Sequence, residues 1–567
     1  NNNTAIGAEA LAANTTGTLN TAVGSYSLDA NTTGSRNTAV GYNAGTAVTT
    51  ASDVDAFGAY TLQSNTTGTR NVGLGRSALQ SNTTANDNTA VGHEALKVNT
   101  TGSYNIAIGS LALDANTTAS NNVGVGGQAL TNNSTGYANV AVGRLALAQN
   151  STAINNVGIG HNAGYGTTTG TQNTSVGSLA LYSNNTASNN TAIGYQSLNA
   201  MGAGGGSGGN TAVGSQTGRA VTTGIFNTIV GSAACYDLTT GSNNIAVGYS
   251  AAANITSADN NVAVGRQALN ANTDGSNNVA IGYEALNGAN IGNTVAIGYR
   301  ALYSNNDTGY NCTAVGYEAL ANNTTGAQNN AFGREALEDN TTGSNNCAFG
   351  YLSLQKNTTG DNNTGLGHNC LSVNTTGSYN TAVGFDCLEA NTTGVNNTAV
   401  GRDCMDSNTT GNENAAFGQN TMSACTTGNS NSAFGRDCFH VLTTGSGNTG
   451  VGQGVCTNLT TGGNNLMLGL DSGRSGAPSG AISTGSNIIC LGNNNITDLY
   501  CADTSISSSD KRDKTDITDF THGLNWVNQL KPVTYRWDKR TWYGTEEKPF
   551  GTPDGSKKKN KKHIGFL

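Results

Sequence analysis

Residues 20–36 read NTAVGSYSLDANTTGSR and residues 37–53 read NTAVGYNAGTAVTTASD, two consecutive copies of one 17-residue unit. The glycine of N-T-A-V-G recurs every 17 residues from Gly7 to Gly194 and again from Gly214 to Gly282. It slips at Gly298 and Gly316, keeps the 17-residue step to Gly469 and closes at Gly492, which makes 29 copies. A fixed short period is the signature of a stacked repeat architecture. Seventeen residues is too short for a helical pair, and one Leu per copy beside β-branched residues in a Gly-bounded run does not fit a leucine-rich repeat. The unit therefore predicts an all-β solenoid in which each strand pairs with its equivalent one coil on, about 4.8 Å away. Stacked in this way, the Asn and Thr rows can bond along the axis.

Within the consensus N-T-A-[VILF]-G-x-x-A-L-x-x-N-T-T-G-x-x, the aliphatic or Phe residue before each glycine and the Leu five residues later are the expected core. Small positions such as Ala22 and Gly124 then form an exposed face that oligomerisation would cover. The N-T-T-G segment reads as a turn in which Asn and Gly take left-handed angles.

Composition narrows the function classes. Only 11% of residues are charged and 6% aromatic, with net charge -8, so a large conventional core and nucleic-acid binding are both disfavoured. Regular aliphatic spacing and low net charge together argue against disorder. Ser509 to Leu567 holds 13 of the 26 Lys and Arg but only 8 of the 34 Asp and Glu. Trp526, Trp537 and Trp542 and three of the four prolines fall there too, so two architectures meet near residue 508. No apolar run is long enough for a membrane helix, and Asn1 to Leu11 lacks the basic start and apolar stretch of a secretory signal.

Three irregular places, Met201 to Gly209, the slips near Gly292 and Cys312, and Asp471 to Ser486, are surface insertions that could also serve as binding loops. Cys370, Cys387, Cys404 and Cys438 each follow a motif glycine by three, where most copies carry Ala, and read as buried free thiols. No C-x-x-C pair suggests zinc, and no metal or other cofactor is expected. The N-x-T triplets, such as Asn14 to Thr16, match a glycosylation acceptor but are explained by a repeated turn. The adjacent Thr pairs lack the T-x-T spacing of a flat ice-binding face. Glycan cleavage needs opposed carboxylates beside sugar-stacking aromatics, and Tyr42, Glu94 and Glu318 show no such clustering. The run Lys557 to Lys562 reads as a solvated loop.

At the residue level the unit resembles the head repeats of trimeric autotransporter adhesins, whose coils carry an A-[IV]-G core at a period nearer fourteen. That resemblance implies a homotrimeric β-roll. The segment Ser509 to Trp537 resembles the start of the intramolecular chaperone of endosialidase-type phage tail spikes, with the signature S-D-x-R-x-K, then G-L, then L-K-P-V-x-Y-x-W. Ser509, Asp510, Arg512, Lys514, Gly523, Leu524, Leu530, Lys531, Pro532, Tyr535 and Trp537 carry the match.

The resemblance implies a small α+β domain that trimerises the fibre and is released by self-cleavage between Ser508 and Ser509. Ser509 would be the nucleophile and Lys514 its base, in a single turnover per chain. A Ser before an acidic first turn also reads as a helix N-cap, which is compatible with that role. The closing Ile564 to Leu567 resembles the family's next strand. The expected organisation is a shaft over residues 1–492, a neck over 493–508 and the first part of the chaperone over 509–567. As a tail fibre or spike of a virion, acting outside the cell, its implied partners are its own copies, other virion tail proteins and a host glycan or surface protein, with no membrane insertion. The rival from another class, a bacterial trimeric surface adhesin, needs an export signal and an anchoring barrel that this span does not display.

Overall fold

The computed structural model describes residues 2–202, 208–288, 290–304, 311–498 and 500, together with 532–536, 556 and 562–566. Two compact units divide at Thr497 and Asp498. The first is a parallel β-solenoid of 29 three-residue strands, from β1 (Thr4–Ile6) to β29 (Ile489–Leu491), each paired with the next in one continuous sheet. Pairing is in register throughout: Thr21, Ala22 and Val23 lie against Thr38, Ala39 and Val40. The irregular places leave that register intact. Ala192 still pairs with Ala212, Ala280 with Ala296, Ala296 with Ala314 and Met467 with Cys490, so every length change is absorbed between strands.

The rest of each coil is hydrogen-bonded along the axis as well. The backbone N–H of Leu28 donates to Ala44 O at 3.1 Å, and that of Thr32 donates to Thr49 O at 2.9 Å. The A-L segment is not a second strand, because Leu28 sits at φ 48° and Tyr26 at φ 61°. Left-handed backbone thus falls two and four residues after the motif glycine and two residues after the N-T-T-G glycine, as at Arg36 (φ 59°). It does not fall on the Asn or Gly of N-T-T-G as the turn pattern suggested. The motif glycine is sterically required: Gly24 has φ +131°, and a Cβ there would stand 2.5 Å from Gly41 O.

Two Asn columns run through the interior. Asn105 donates its backbone N–H to Asn88 Oδ1 (2.9 Å), donates Nδ2–H to Ala119 O (2.9 Å), and accepts the backbone N–H of Asn122 on its own Oδ1 (3.0 Å). In the second column Asn99 Nδ2 donates to Asn82 Oδ1 at 3.0 Å and to Gly102 O at 2.8 Å. These are the Asn of N-T-A-V-G and of N-T-T-G, and both rows are buried, which satisfies polar groups that would otherwise be costly inside a narrow coil. Thr hydroxyls add a third row, with Thr83 Oγ1 donating to Thr100 O at 3.0 Å. Axial bonding by Asn and Thr, read from the repeat, is the observed arrangement.

The inside and outside of the strand are the reverse of the sequence expectation. Ala22 is fully buried and Ala is the usual inward residue, whereas the residue before each glycine faces out: Ile6 is 60% exposed and Leu74 48%. A three-residue strand points its first and third side chains to one face and its middle one to the other. The middle position has little room, because the Leu four residues after the glycine fills the opposite wall. A Cβ on Gly158 would stand 2.8 Å from Leu147 Cγ, and one on Gly124 3.3 Å from Leu113 Cδ1.

Where that Leu shrinks, neighbours grow. Gly45 is accompanied by buried Val48, and Gly218 by Val221 and the inward Ile229, whose Cδ1 a Cβ on Gly218 would meet at 2.9 Å. The core is therefore Ala plus Leu and not Val plus Leu, and Ala22 is not an interface residue.

Replacing Asn105 by Ala leaves Ala119 O and the Asn122 N–H without these partners, at a cost of roughly 2–4 kcal/mol. Because each coil touches only its neighbours, the damage should be local. Hydrogen exchange should quicken at Asn122 and the adjoining coils while distant coils keep their protection; unchanged exchange at Asn122 would contradict the column's role.

Candidate functional site

In the second unit the described residues form two antiparallel strands, β30 (Pro532–Arg536) and β31 (Lys562–Phe566), with Pro532 opposite Phe566 and Tyr535 opposite His563. The P-V-T-Y-R part of the L-K-P-V-x-Y-x-W signature is thus a strand paired with the closing K-H-I-G-F. Ser508, Ser509 and Lys514, and with them the predicted N-cap and apolar helix, lie outside the described residues.

On the solenoid the predicted chemistry is placed as follows. Cys370, Cys387, Cys404 and Cys438 are buried and free. Burial pushes the thiols of Cys370 and Cys438 up to about 12, and Cys387 rises through its hydrogen bond with Cys404 and then burial. Protonated and enclosed thiols are neither nucleophiles nor metal ligands at neutral pH, and among the described residues no group of three His, Cys, Asp or Glu could hold a metal ion. Cys347 differs: it is exposed at the outward first position of its strand.

Most N-x-T asparagines are buried in the ladder, Asn31 and Asn99 among them, where no glycan could be attached. Glu94 and Glu318 stand in coils far apart along the solenoid, and Glu94 is held by Lys97 at 3.1 Å, so no carboxylate pair forms. The loop at 471–476 meets Asn493 to Asn495 around a shallow polar recess, closed on one side by Arg474 bonded to Asp471 at 2.5 Å.

One surface feature was not singled out by the repeat pattern. The residue after the motif glycine is aromatic, Arg or His in ten consecutive coils, from Tyr249 to Arg402, and the first nine are Tyr249, Arg266, Tyr283, Tyr299, Tyr317, Arg334, Tyr351, His368 and Phe385. They stack into one column: Arg266 lies 5.9 and 5.5 Å from the rings of Tyr249 and Tyr283, Tyr299 stacks on Tyr317 at 5.0 Å, and His368 on Phe385 at 4.9 Å. Reading down that single position in the sequence would have found it. Since ring faces are spent on each other, the column offers edges and polar tips to a partner, not faces for sugar stacking.

A carboxylate group lies beside the end of this column. Burial, then Asp403, pushes Asp406 up to about 6, and burial, then Asp386, raises Glu389. In-register stacking has brought like charges together.

Comparison with known proteins agrees with the division of the chain. Residues 509–567 match the family described as chaperone of endosialidase. No curated protein matches the chain. The molecule is thus a repetitive parallel β-solenoid followed by a segment similar to the chaperone of endosialidase. Among the described residues no helix is long and apolar enough to cross a membrane.

A carboxyl group whose folded pKa is raised contributes stability that is full below its unfolded pKa, near 4, and is lost as pH rises through about 6. Asp406→Asn should therefore raise the melting temperature at pH 7.5 by a few degrees and change it little at pH 4, as read by circular dichroism. A larger gain at pH 4 than at pH 7.5 would refute the assignment.

Proposed function

We propose that this chain is the shaft of a homotrimeric viral fibre, a tail fibre or spike of a phage, assembled by a C-terminal intramolecular chaperone. The observation that carries this reading is the join of an uninterrupted 29-strand in-register solenoid to a segment matching chaperone of endosialidase. The solenoid supplies reach: 29 strands at about 4.8 Å per coil extend about 140 Å. Its buried thiols and filled interior suit a structural element better than a turnover enzyme. A virion location outside the cell follows from the reading, as do contacts with other tail proteins and attachment to a host glycan or surface protein.

In this reading Ser509 and Lys514 release the chaperone once the fibre has formed. Lys514, acting as a neutral amine, takes the proton of the Ser509 hydroxyl, and the oxygen attacks the carbonyl carbon of Ser508. The Ser509 nitrogen leaves with a proton, and water hydrolyses the resulting ester. The products are a shaft ending at Ser508 and a chaperone beginning at Ser509, with no cofactor required.

The test is intact mass and gel migration with and without boiling for the full-length product beside Ser509→Ala and Lys514→Met. The proposal expects a wild-type shaft mass ending at Ser508, a heat-sensitive trimer band, and no cleavage in either variant. Trimers without cleavage in all three would remove the dyad and leave the fibre. Monomers throughout would overturn the fibre reading.

A further inference from the structure

The third residue of all 29 strands is Val, Ile, Leu or Phe, and none of the 29 is buried. Ile108 is 40% exposed, Phe349 54% and Val451 44%. The first residue of each strand faces the same way, and of both outward positions only Asp55 carries a charge. Ion pairs sit on other parts of the coil: Arg36 with Asp53 and Arg70 with Asp87 before the strands, and Arg300 with Glu284 after them. The outward row exposes on the order of 1,500 Å² of apolar side chain, against roughly 300–600 Å² for the largest patch on an ordinary monomer. A stable interface takes about 800 Å² from each partner.

We infer that this outward strand face is where copies of the chain pack on one another, parallel and coil against coil, with the column from Tyr249 to Phe385 along its border. The inference rests on the homotrimeric fibre proposed above and assigns the surface that such a trimer would bury. Three observations select a second copy over other occupants. The face repeats at the rise of the coil, about 4.8 Å, over its whole length, and another copy matches that repeat by construction whereas an irregular globular surface meets only a few rungs. Its area suffices for a permanent assembly. Its near lack of charge allows self-contact with little like-charge repulsion, and the neighbouring Tyr and Arg are residue types enriched in interfaces relative to the rest of the surface.

The test uses the full chain with Val230→Lys and Val247→Lys together, both outward and exposed, against Thr240→Lys and Ser257→Lys, also exposed, on the turns of the same coils that stand where other copies have N-T-T-G. Light scattering should show the strand-face variant falling about threefold in mass to the monomer, with its circular dichroism unchanged, while the turn variant keeps the wild-type mass. If the strand-face variant does not fold, cross-linking of unaltered protein decides. Cys347 lies on this face, so in-register copies should be joined by a short bis-maleimide through Cys347, and Cys347→Ser should abolish the product. A trimer that survives both lysines and is not joined through Cys347 would overturn the face assignment and leave the fibre reading standing. A monomeric wild type would overturn both.

Discussion

The structure depends on one constraint, that every coil must sit in register one strand spacing from the next. Glycine columns let the backbones approach so closely, and the asparagine columns hold them there. With Asn88, Asn105 and Asn122 bonded head to tail, each amide fixes the height of its successor, and only Val54, Thr294, Cys312 and Ile488 replace Asn at this position in the 29 coils. Segments of 16 to 23 residues between equivalent strand positions leave the sheet continuous, because the parallel strand pairing resumes in register after each of them. The same constraint explains the poverty of the core. A cross-section that holds mostly Ala and Leu buries little per coil, and polar side chains bonded along the axis contribute what a larger apolar interior would in a globular domain.

Much of this was legible in the residues. The period, the solenoid, the axial bonding of Asn and Thr, and the buried cysteines at an Ala position all follow from the spacing of identical residues. What the pattern did not disclose was which side of the strand is inside. Alternation fixes that Ala22 and Val23 face opposite ways, but hydrophobicity alone favours Val for the core. The deciding quantity is the space left by Leu28 and its equivalents on the opposite wall, a three-dimensional property that surfaces in sequence only as compensation, as at Gly218 with Ile229. The same reversal turns the expected exposed Ala face into a buried one, and leaves the Val, Ile and Phe row as the exposed apolar one. The left-handed Tyr26 and Leu28 escaped the turn rules because those rules favour Gly and Asn there, whereas here the axial hydrogen bonds of neighbouring coils impose the angle.

At the C-terminal end, sequence carried more than geometry. The signature residues from Ser509 to Trp537 led to the same family that matches residues 509–567, and the described strands pair Pro532–Arg536 with Lys562–Phe566. A thin solenoid has a large surface for its volume, and this one leaves an apolar row exposed along it.

The most direct test of the account is electron cryomicroscopy of the purified shaft. The account predicts a rod about 140 Å long whose density repeats along the axis at about 4.8 Å, with the strands perpendicular to that axis. A compact particle, or a rod lacking that axial repeat, would contradict it.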